Sequence, residues 1–445
     1  MSLEEIKDLL QKLQPVLGSK TRALWYSYIL SKDHKALANS RKLLRLLADN
    51  RAKQSFFHDI KLPPPKVSKL PGKYRLGDVI YPTQKYGEFG LHEADFIKHI
   101  LIAGMTGTGK TNLSFHLLKQ LVQYKKPFLV FDWKRNYQAL HQLPGFEDLK
   151  IIKLGSSDCR FRFNPLIPPP GIHPKHWLAM LVDVMKHSFF LGLGVEYFLR
   201  KGIDSLFERF GIYEGKEVFP TFSDLDKLLK KEYVKGREML WMSSAKRVLA
   251  SLTFSGLLGE VLNVRQQENI ADLLKQKVII EMDNLATIEK IFFVESLLLW
   301  IYHFRKLERI RETFKHAIII EEAHHIFSGK KENEIGEEPI METIIRMIRE
   351  YGESVIVIDQ EPSKVSNSIL ANTNSKICFN LGNGKDIEIM ARAMSLNQEG
   401  KESIDKLKVG HAIIKLKSRF SEPLHVRFPL VDIDKKNRRE IYRLK

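Results

Sequence analysis

Cysteine is scarce: Cys159 and Cys378 are the only two in 445 residues, far apart and outside any CxxC or Cys/His zinc spacing. Neither a disulfide framework nor a structural metal site is indicated, and a reduced cytoplasmic setting is expected. Long apolar runs are missing too. The greasiest stretch, Ile291 to Tyr302, is broken by Glu295 and falls short of the roughly 20 residues that cross a bilayer. The start, MSLEEIKDLLQ, is acidic and amphipathic, unlike the basic-then-apolar start of a secretion signal. No repeat of fixed period occurs, and no block of like charge forms a tail, because acids separate Lys230-Lys231, Arg305-Lys306, Arg309, Arg311 and Lys435-Lys436. The expectation is a soluble, folded, intracellular protein with no membrane partner.

What is abundant is positive charge. Lys and Arg number 71 against 53 Asp and Glu, a formal net charge of +18, which favours a polyanionic partner such as DNA, RNA or an acidic membrane surface. A hydrophobic content of 44% over this length suits two or three well-formed cores.

The chain changes grammar along its length. Leu3, Ile6, Leu9, Leu10 and Leu13, then Leu43, Leu44, Leu46 and Leu47, are spaced for helices, predicting a small helical N-terminal region over 1–60. Pro63-Pro64-Pro65 breaks it, and 61–96 reads as a connector with leading strands. Short apolar runs then alternate with helical stretches, the pattern of a mainly parallel sheet covered by helices. The expected strands are His99 to Ala103, Pro127 to Phe131, Val278 to Met282, Ala317 to Ile320, Val355 to Ile358 and Lys376 to Phe379, with further runs at Ala412 to Leu416 and Leu424 to Phe428. Residues 97–168 and 271–430 thus read as two parts of one α/β core, 169–270 as a helical insertion, and 431–445 as a basic tail.

Residues 104–111, GMTGTGKT, fit G-x-x-x-x-G-K-S/T between an apolar strand and an amphipathic helix. Small residues let backbone N–H groups turn inward onto phosphate oxygens, and the helix that follows offers its positive end. Gly104, Met105, Thr106, Gly107, Thr108, Gly109, Lys110, Thr111 and Asn112 are therefore the expected cradle of a nucleoside triphosphate. Lys110 is expected on the β- and γ-phosphates, and Thr111 on Mg2+. A second apolar run ends in Glu321 and Glu322, where sites in open parallel sheets lie. Glu321 is assigned to Mg2+ through a bound water and Glu322 to polarising the attacking water. Gln360, after Val355 to Asp359, is the candidate γ-phosphate sensor. Arg346 and Arg349, three apart on a helix, are candidate phosphate contacts in cis or across a subunit boundary, with a salt bridge to Glu342 or Glu353 as the alternative. His324 and His325 lack HExxH or HxxEH spacing, so no catalytic zinc is expected.

These motifs, with LGDVIYPTQKYGEFGL, FLVFDWKRNY, FRFNPLIPPPG, IIIEEAHHIF and REYGESVIVIDQEPSKVSNSILANTNSKICFNL in that order, resemble those of the HerA/FtsK-type ATPases over roughly residues 74–430. The resemblance implies a RecA-like core, a hexameric ring with ATP at subunit interfaces, and double-stranded DNA through the centre. Glu321 stands where many members carry Asp. Lys98 stands where HerA-like proteins can carry a trans-acting arginine. The implied activity is an ATP-hydrolysing motor that translocates on or unwinds duplex DNA. The alternative is an ATPase ring that activates a partner nuclease or other effector in DNA repair or phage defence. A small-molecule kinase is a third class, disfavoured by the paired glutamates. Lys134, Arg135, Lys364 and the stretch from Lys227 to Arg237 are the candidate DNA contacts.

Overall fold

Apolar runs that close on small or acidic residues become strands here, and they are buried on both faces. The computed structural model describes residues 25–26, 60, 62–253, 257–308, 311–329 and 338–433. The expected N-terminal helices therefore lie outside the described residues, except for 25–26 and 60, as does the tail beyond residue 433.

The chain enters through an antiparallel pair, β1 (Tyr74–Ile80) and β2 (Lys85–Leu91), then the short helix α1 (Glu93–Ile97). β3 (Ile100–Ala103) feeds α2 (Lys110–Gln123), and β4 (Phe128–Asp132) and β5 (Lys150–Lys153) follow. A helical stretch comes next: α3 (Pro174–Phe189), α4 (Leu193–Arg209), α5 (Phe222–Lys231), α6 (Glu238–Thr253), α7 (Leu257–Leu262) and α8 (Ile270–Leu273). β6 (Lys277–Glu281), α9 (Thr287–Leu307), β7 (His316–Glu321), α10 (Ile340–Ile348) and β8 (Glu353–Asp359) return to the sheet. α11 (Asn367–Asn372), β9 (Ser375–Cys378), α12 (Gly384–Ala393), α13 (Gln398–Glu402), β10 (His411–Leu416) and β11 (Leu424–Arg427) complete the described chain.

All eleven strands form one sheet in the order β2-β1-β11-β10-β9-β3-β8-β7-β4-β6-β5. From β9 to β5 the pairing is parallel, and the other four strands add to β9 in antiparallel fashion. The expected mainly parallel α/β sheet is present. β5 has no counterpart among the strands expected from the sequence, because KIIK is a four-residue edge strand whose flanking lysines hide its short apolar centre.

Alternate strand residues feed two cores. Leu101, Leu129, Phe131, Ile318 and Ile320 pack with α3 to α9 on one face. Ile100, Ile102, Phe128, Val130 and Ile319 pack with Leu113, Leu117 and Leu121 of α2 on the other. α9 explains the greasiest stretch of the sequence. It belongs to the same core as Trp177 of α3 and Phe198 of α4, so it is covered nearly all round and needs no polar face. Its Glu295 is buried and accepts a hydrogen bond from Ser188 Oγ at 2.6 Å. Among the described residues, no helix is long and apolar enough to cross a membrane.

The N-terminal ends of β7 and β8 are locked by a buried ion cluster. Glu353 accepts from Arg305 Nε at 2.5 Å and lies 2.7 Å from His316 Nδ1, its cross-strand partner. Burial alone would raise the Glu353 carboxyl, but His316 and Arg305 outweigh it and hold it down to about 2. The C-terminal ends of β3, β7 and β8 meet at the cradle.

Candidate nucleotide-binding and hydrolytic site

The loop Gly104 to Gly109 leaves β3 and turns into α2 with Lys110 as the first helical residue. Gly109 has φ +118°, a conformation that L side chains rarely adopt. A Cβ on Gly104 would sit 2.6 Å from Phe379 Cβ, so the loop can pack against β9 only as glycine. Lys110 Nζ donates to the carbonyls of Gly104 at 2.5 Å and Met105 at 3.0 Å. Burial pulls this ammonium down to about 8, against the opposing pull of Glu322, Asp359 and Glu321.

One cavity of about 400 Å³ contains Thr106, Gly107, Gly109, Lys110, Thr111, Asn112, Glu321, Glu322 and Gln360 in its lining. Most of the residues expected at the site are thus brought together around one space. Within it runs a chain of hydrogen bonds. Thr106 Oγ1 donates to Gln360 Oε1 at 2.5 Å, and Gln360 Nε2 donates to Glu322 Oε1 at 2.5 Å. Lys134 Nζ pairs with the same carboxylate oxygen. Lys134, a candidate DNA contact from the sequence, is thus part of the lining of this cavity.

Glu321 and Glu322 diverge although adjacent. Glu322 follows β7 in a left-handed conformation, φ +48°, which turns its carboxylate toward the mouth. Glu321 ends β7 and is buried, accepting from the Tyr137 hydroxyl at 3.0 Å. Ser114 of α2 is 2.8 Å from that hydroxyl, so Tyr137 joins the helix after the cradle to the acidic strand. Burial first, and the nearby Asp132 carboxylate second, raise Glu321 to about 7; burial raises Asp132 to about 6. Glu321 lines the same cavity as Thr111, and this carboxylate and hydroxyl are the oxygen donors that would hold a hard divalent cation there.

Asp359 fixes the turn that follows the two glutamates. Its carboxylate accepts from His324 N at 2.7 Å, Glu361 N at 2.7 Å and His324 Nδ1 at 2.9 Å, tying the end of β8 to the turn after β7. Burial would lower His324, but Asp359 outweighs it and raises the imidazole. His325 stacks on Trp133 with centroids 5.3 Å apart. Asp132, Tyr137 and Asp359 were not among the expected site residues. The available signal was an acid closing each apolar run, FLVFD and VIVID, as Glu321 closes its own.

Arg346 and Arg349 are not brought to this cavity. α10 and the turn after it lead into the N-terminal end of β8, where Ile345 O lies 2.7 Å from His99 Nε2, just before β3. β8 is seven residues long, so roughly 20 Å of strand separates this edge from the cradle. The in cis role considered for both arginines is corrected accordingly. Arg346 pairs with Glu338 at 2.9 Å rather than Glu342 or Glu353, while Arg349 and Lys98 are exposed along the same edge. Asn112, in the lining of the cavity, also makes a contact beyond the cradle. Its side chain donates to Pro429 O at 2.9 Å and accepts from Val431 N at 2.8 Å, so it holds the C-terminal segment beside the cradle. Arg135 pairs with Glu281 and Asp283, and Lys364 with Glu361.

A Gly-rich turn into a helix, with paired acids and an amide side chain at the ends of neighbouring parallel strands, defines a P-loop nucleotide site on a RecA-like sheet. In sequence, residues 84–185 match the family model described as "Helicase HerA, central domain". The chain is 23% identical over 357 residues to the DNA double-strand break repair helicase HerA of Saccharolobus solfataricus, covering 77% of this chain and 66% of that protein. It is also 23% identical over 362 residues to the protein of the same name from Pyrococcus furiosus, covering 71% and 62%. The matches thus span just under two thirds of the length of these curated relatives. Among solved structures, VirB4 of Thermoanaerobacter pseudethanolicus superposes with a TM-score of 0.61 at 16% identity, over 80% of this chain and 96% of that one. The plasmid coupling protein TrwB in complex with ADP and Mg2+ does so with 0.56 at 13%, over 78% and 88%. These likenesses show the fold.

Proposed function

We propose that the chain is an ATP hydrolase that drives a motor on double-stranded DNA as a homo-oligomeric ring, a hexamer by likeness to its family. The observation that carries the reading is the hydrogen-bonded chain Thr106–Gln360–Glu322–Lys134, which links the phosphate cradle to the ends of β8, β7 and β4 inside one cavity. Glycine backbone and the α2 N-terminus bind the triphosphate, and Lys110 leaves its loop carbonyls for the β- and γ-phosphates. Thr111 and Glu321 are the residues that would hold Mg2+, which would supply charge neutralisation at the phosphates. Glu322 takes the proton of the attacking water, Lys134 pairs with that carboxylate and fixes its position, and Gln360 couples its orientation to Thr106 on the cradle. Arg349, with Lys98 beside it, acts on a neighbouring subunit's nucleotide. The curated relatives named as DNA repair helicases and the +18 charge support duplex DNA as the track.

Steady-state ATPase with and without duplex DNA at low salt tests the reading. Turnover is expected to rise with duplex and lose that rise as salt increases. Lys110→Ala is expected to abolish productive nucleotide binding, and Glu322→Gln to bind ATP while turnover falls by about 100-fold or more. An ATPase indifferent to duplex DNA overturns the motor. Equal residual turnover in both variants overturns the role assignment.

A further inference from the structure

The cavity that holds the cradle has two aliphatic side chains in its lining that phosphate chemistry leaves unexplained. Val409 and Leu430 both line it, yet they are 75% and 85% exposed, among the most exposed large aliphatic side chains described. A single exposed Leu or Val needs no explanation, but two lining the same ligand-sized cavity do. Both are held in place by contacts to the cradle itself. Gly410 N, next to Val409, donates to Thr108 O at 2.9 Å, and Gly410 O accepts from Phe428 N at 2.9 Å. A Cβ on Gly109 would lie 3.3 Å from Gly410 Cα, so the cradle and this turn are in close contact. Leu430 lies between the two backbone groups that Asn112 grips, and Asn112 follows Thr111 directly. The loop before β10 and the segment after β11 are thus registered on the cradle from two sides.

We propose that Val409 and Leu430 form the nucleobase subsite, gripping the flat faces of the base while the cradle holds the phosphates. This rests on the nucleotide reading of the cavity and deepens it. Neither side chain carries a hydrogen-bonding atom, so this pair grips a base without reading its edge, and an apolar site discriminates weakly between ligands that differ only in polar groups. Purine identity is therefore not selected by this pair: ATP and GTP bind alike. Asn112 is the positioning residue, because it sets where Leu430 stands without touching the base.

The test is calorimetric titration of the full chain with ATP, GTP and inorganic tripolyphosphate, each with Mg2+, beside the Val409→Ala/Leu430→Ala double variant and Leu430→Trp. Both positions are solvent-exposed, so the fold is retained. The parent chain is expected to bind ATP and GTP within about threefold of each other. The double alanine variant is expected to lose about tenfold for both nucleotides and nothing for tripolyphosphate, while Leu430→Trp tightens both nucleotides through stacking and leaves tripolyphosphate unchanged. Nucleotide affinity unchanged in the double variant, or tripolyphosphate weakened as much as ATP, overturns the subsite while the cradle stands. A parent chain that binds neither ATP nor tripolyphosphate overturns the nucleotide reading and the subsite with it.

Discussion

Replacing Tyr137 with Phe removes one oxygen atom from the protein interior and should move the pH at which the site becomes competent. The Tyr137 hydroxyl donates to Glu321 at 3.0 Å, with Ser114 at 2.8 Å behind it. That bond favours the ionised carboxylate, the form that can hold a cation, so losing it raises the Glu321 pKa. A hydrogen bond to a charged group contributes about 1.5–3 kcal/mol, and 1.36 kcal/mol corresponds to one pKa unit, so the expected rise is at least roughly one unit. Glu321 starts at about 7. At pH 7 the ionised fraction would fall from about one half to about one tenth, a roughly fivefold loss, whereas near pH 9 the two proteins would differ little. The assay is ATP turnover from pH 6 to 9.5 at a Mg2+ concentration below saturation. Its acidic limb should shift upward by about one unit in Tyr137→Phe and return toward the parent profile as Mg2+ is raised. A variant whose turnover drops equally at every pH, with the limb unmoved, refutes the link between Tyr137 and Glu321 ionisation.

Three other outcomes follow from the same geometry. Asp132 and Glu321 hold protons more tightly in the folded than in the unfolded chain, so their stabilising contribution is complete below about pH 4 and is lost as pH rises through about 6 and 7. Without nucleotide and Mg2+, stability should therefore fall by about 3 kcal/mol between pH 5.5 and 8, read by chemical denaturation, and a flat profile would contradict the raised pKa values. Arg305→Ala leaves Glu353 buried without its guanidinium partner and should cost about 3–5 kcal/mol, measured as a lower denaturation midpoint at neutral pH. Arg349→Ala should keep the ATP affinity of the chain while assembled turnover drops about 100-fold or more; loss of affinity instead would place the residue's role in folding.

The sequence made the phosphate cradle, the acid-tipped strand and the sensor strand readable, because each is a short local pattern whose chemistry permits few substitutes. Less visible were contacts that depend on pairing across the sheet. Tyr137 meets Glu321 across 184 positions, and Asn112 meets Val431 across 319. No spacing rule joins such residues. Arg349 illustrates the converse: its neighbourhood in sequence to Gln360 suggested a shared site, but the seven-residue β8 lies between them and carries the chain from the N-terminal to the C-terminal ends of the parallel strands. β5 escaped notice because an edge strand needs little apolar surface.

That separation along β8 also restricts the symmetry of any assembly built on it. If copies of this chain exchange a contact between the Arg349 edge and the cradle edge, the two halves of that contact are different surfaces, so a two-fold axis cannot satisfy both edges of every copy. Head-to-tail repetition can. A constant rotation from one copy to the next then either closes a ring or winds an open filament, and the inclination between the two edges sets which. Substitutions near Lys98 could on this view change how many copies close the circle while leaving every cradle intact.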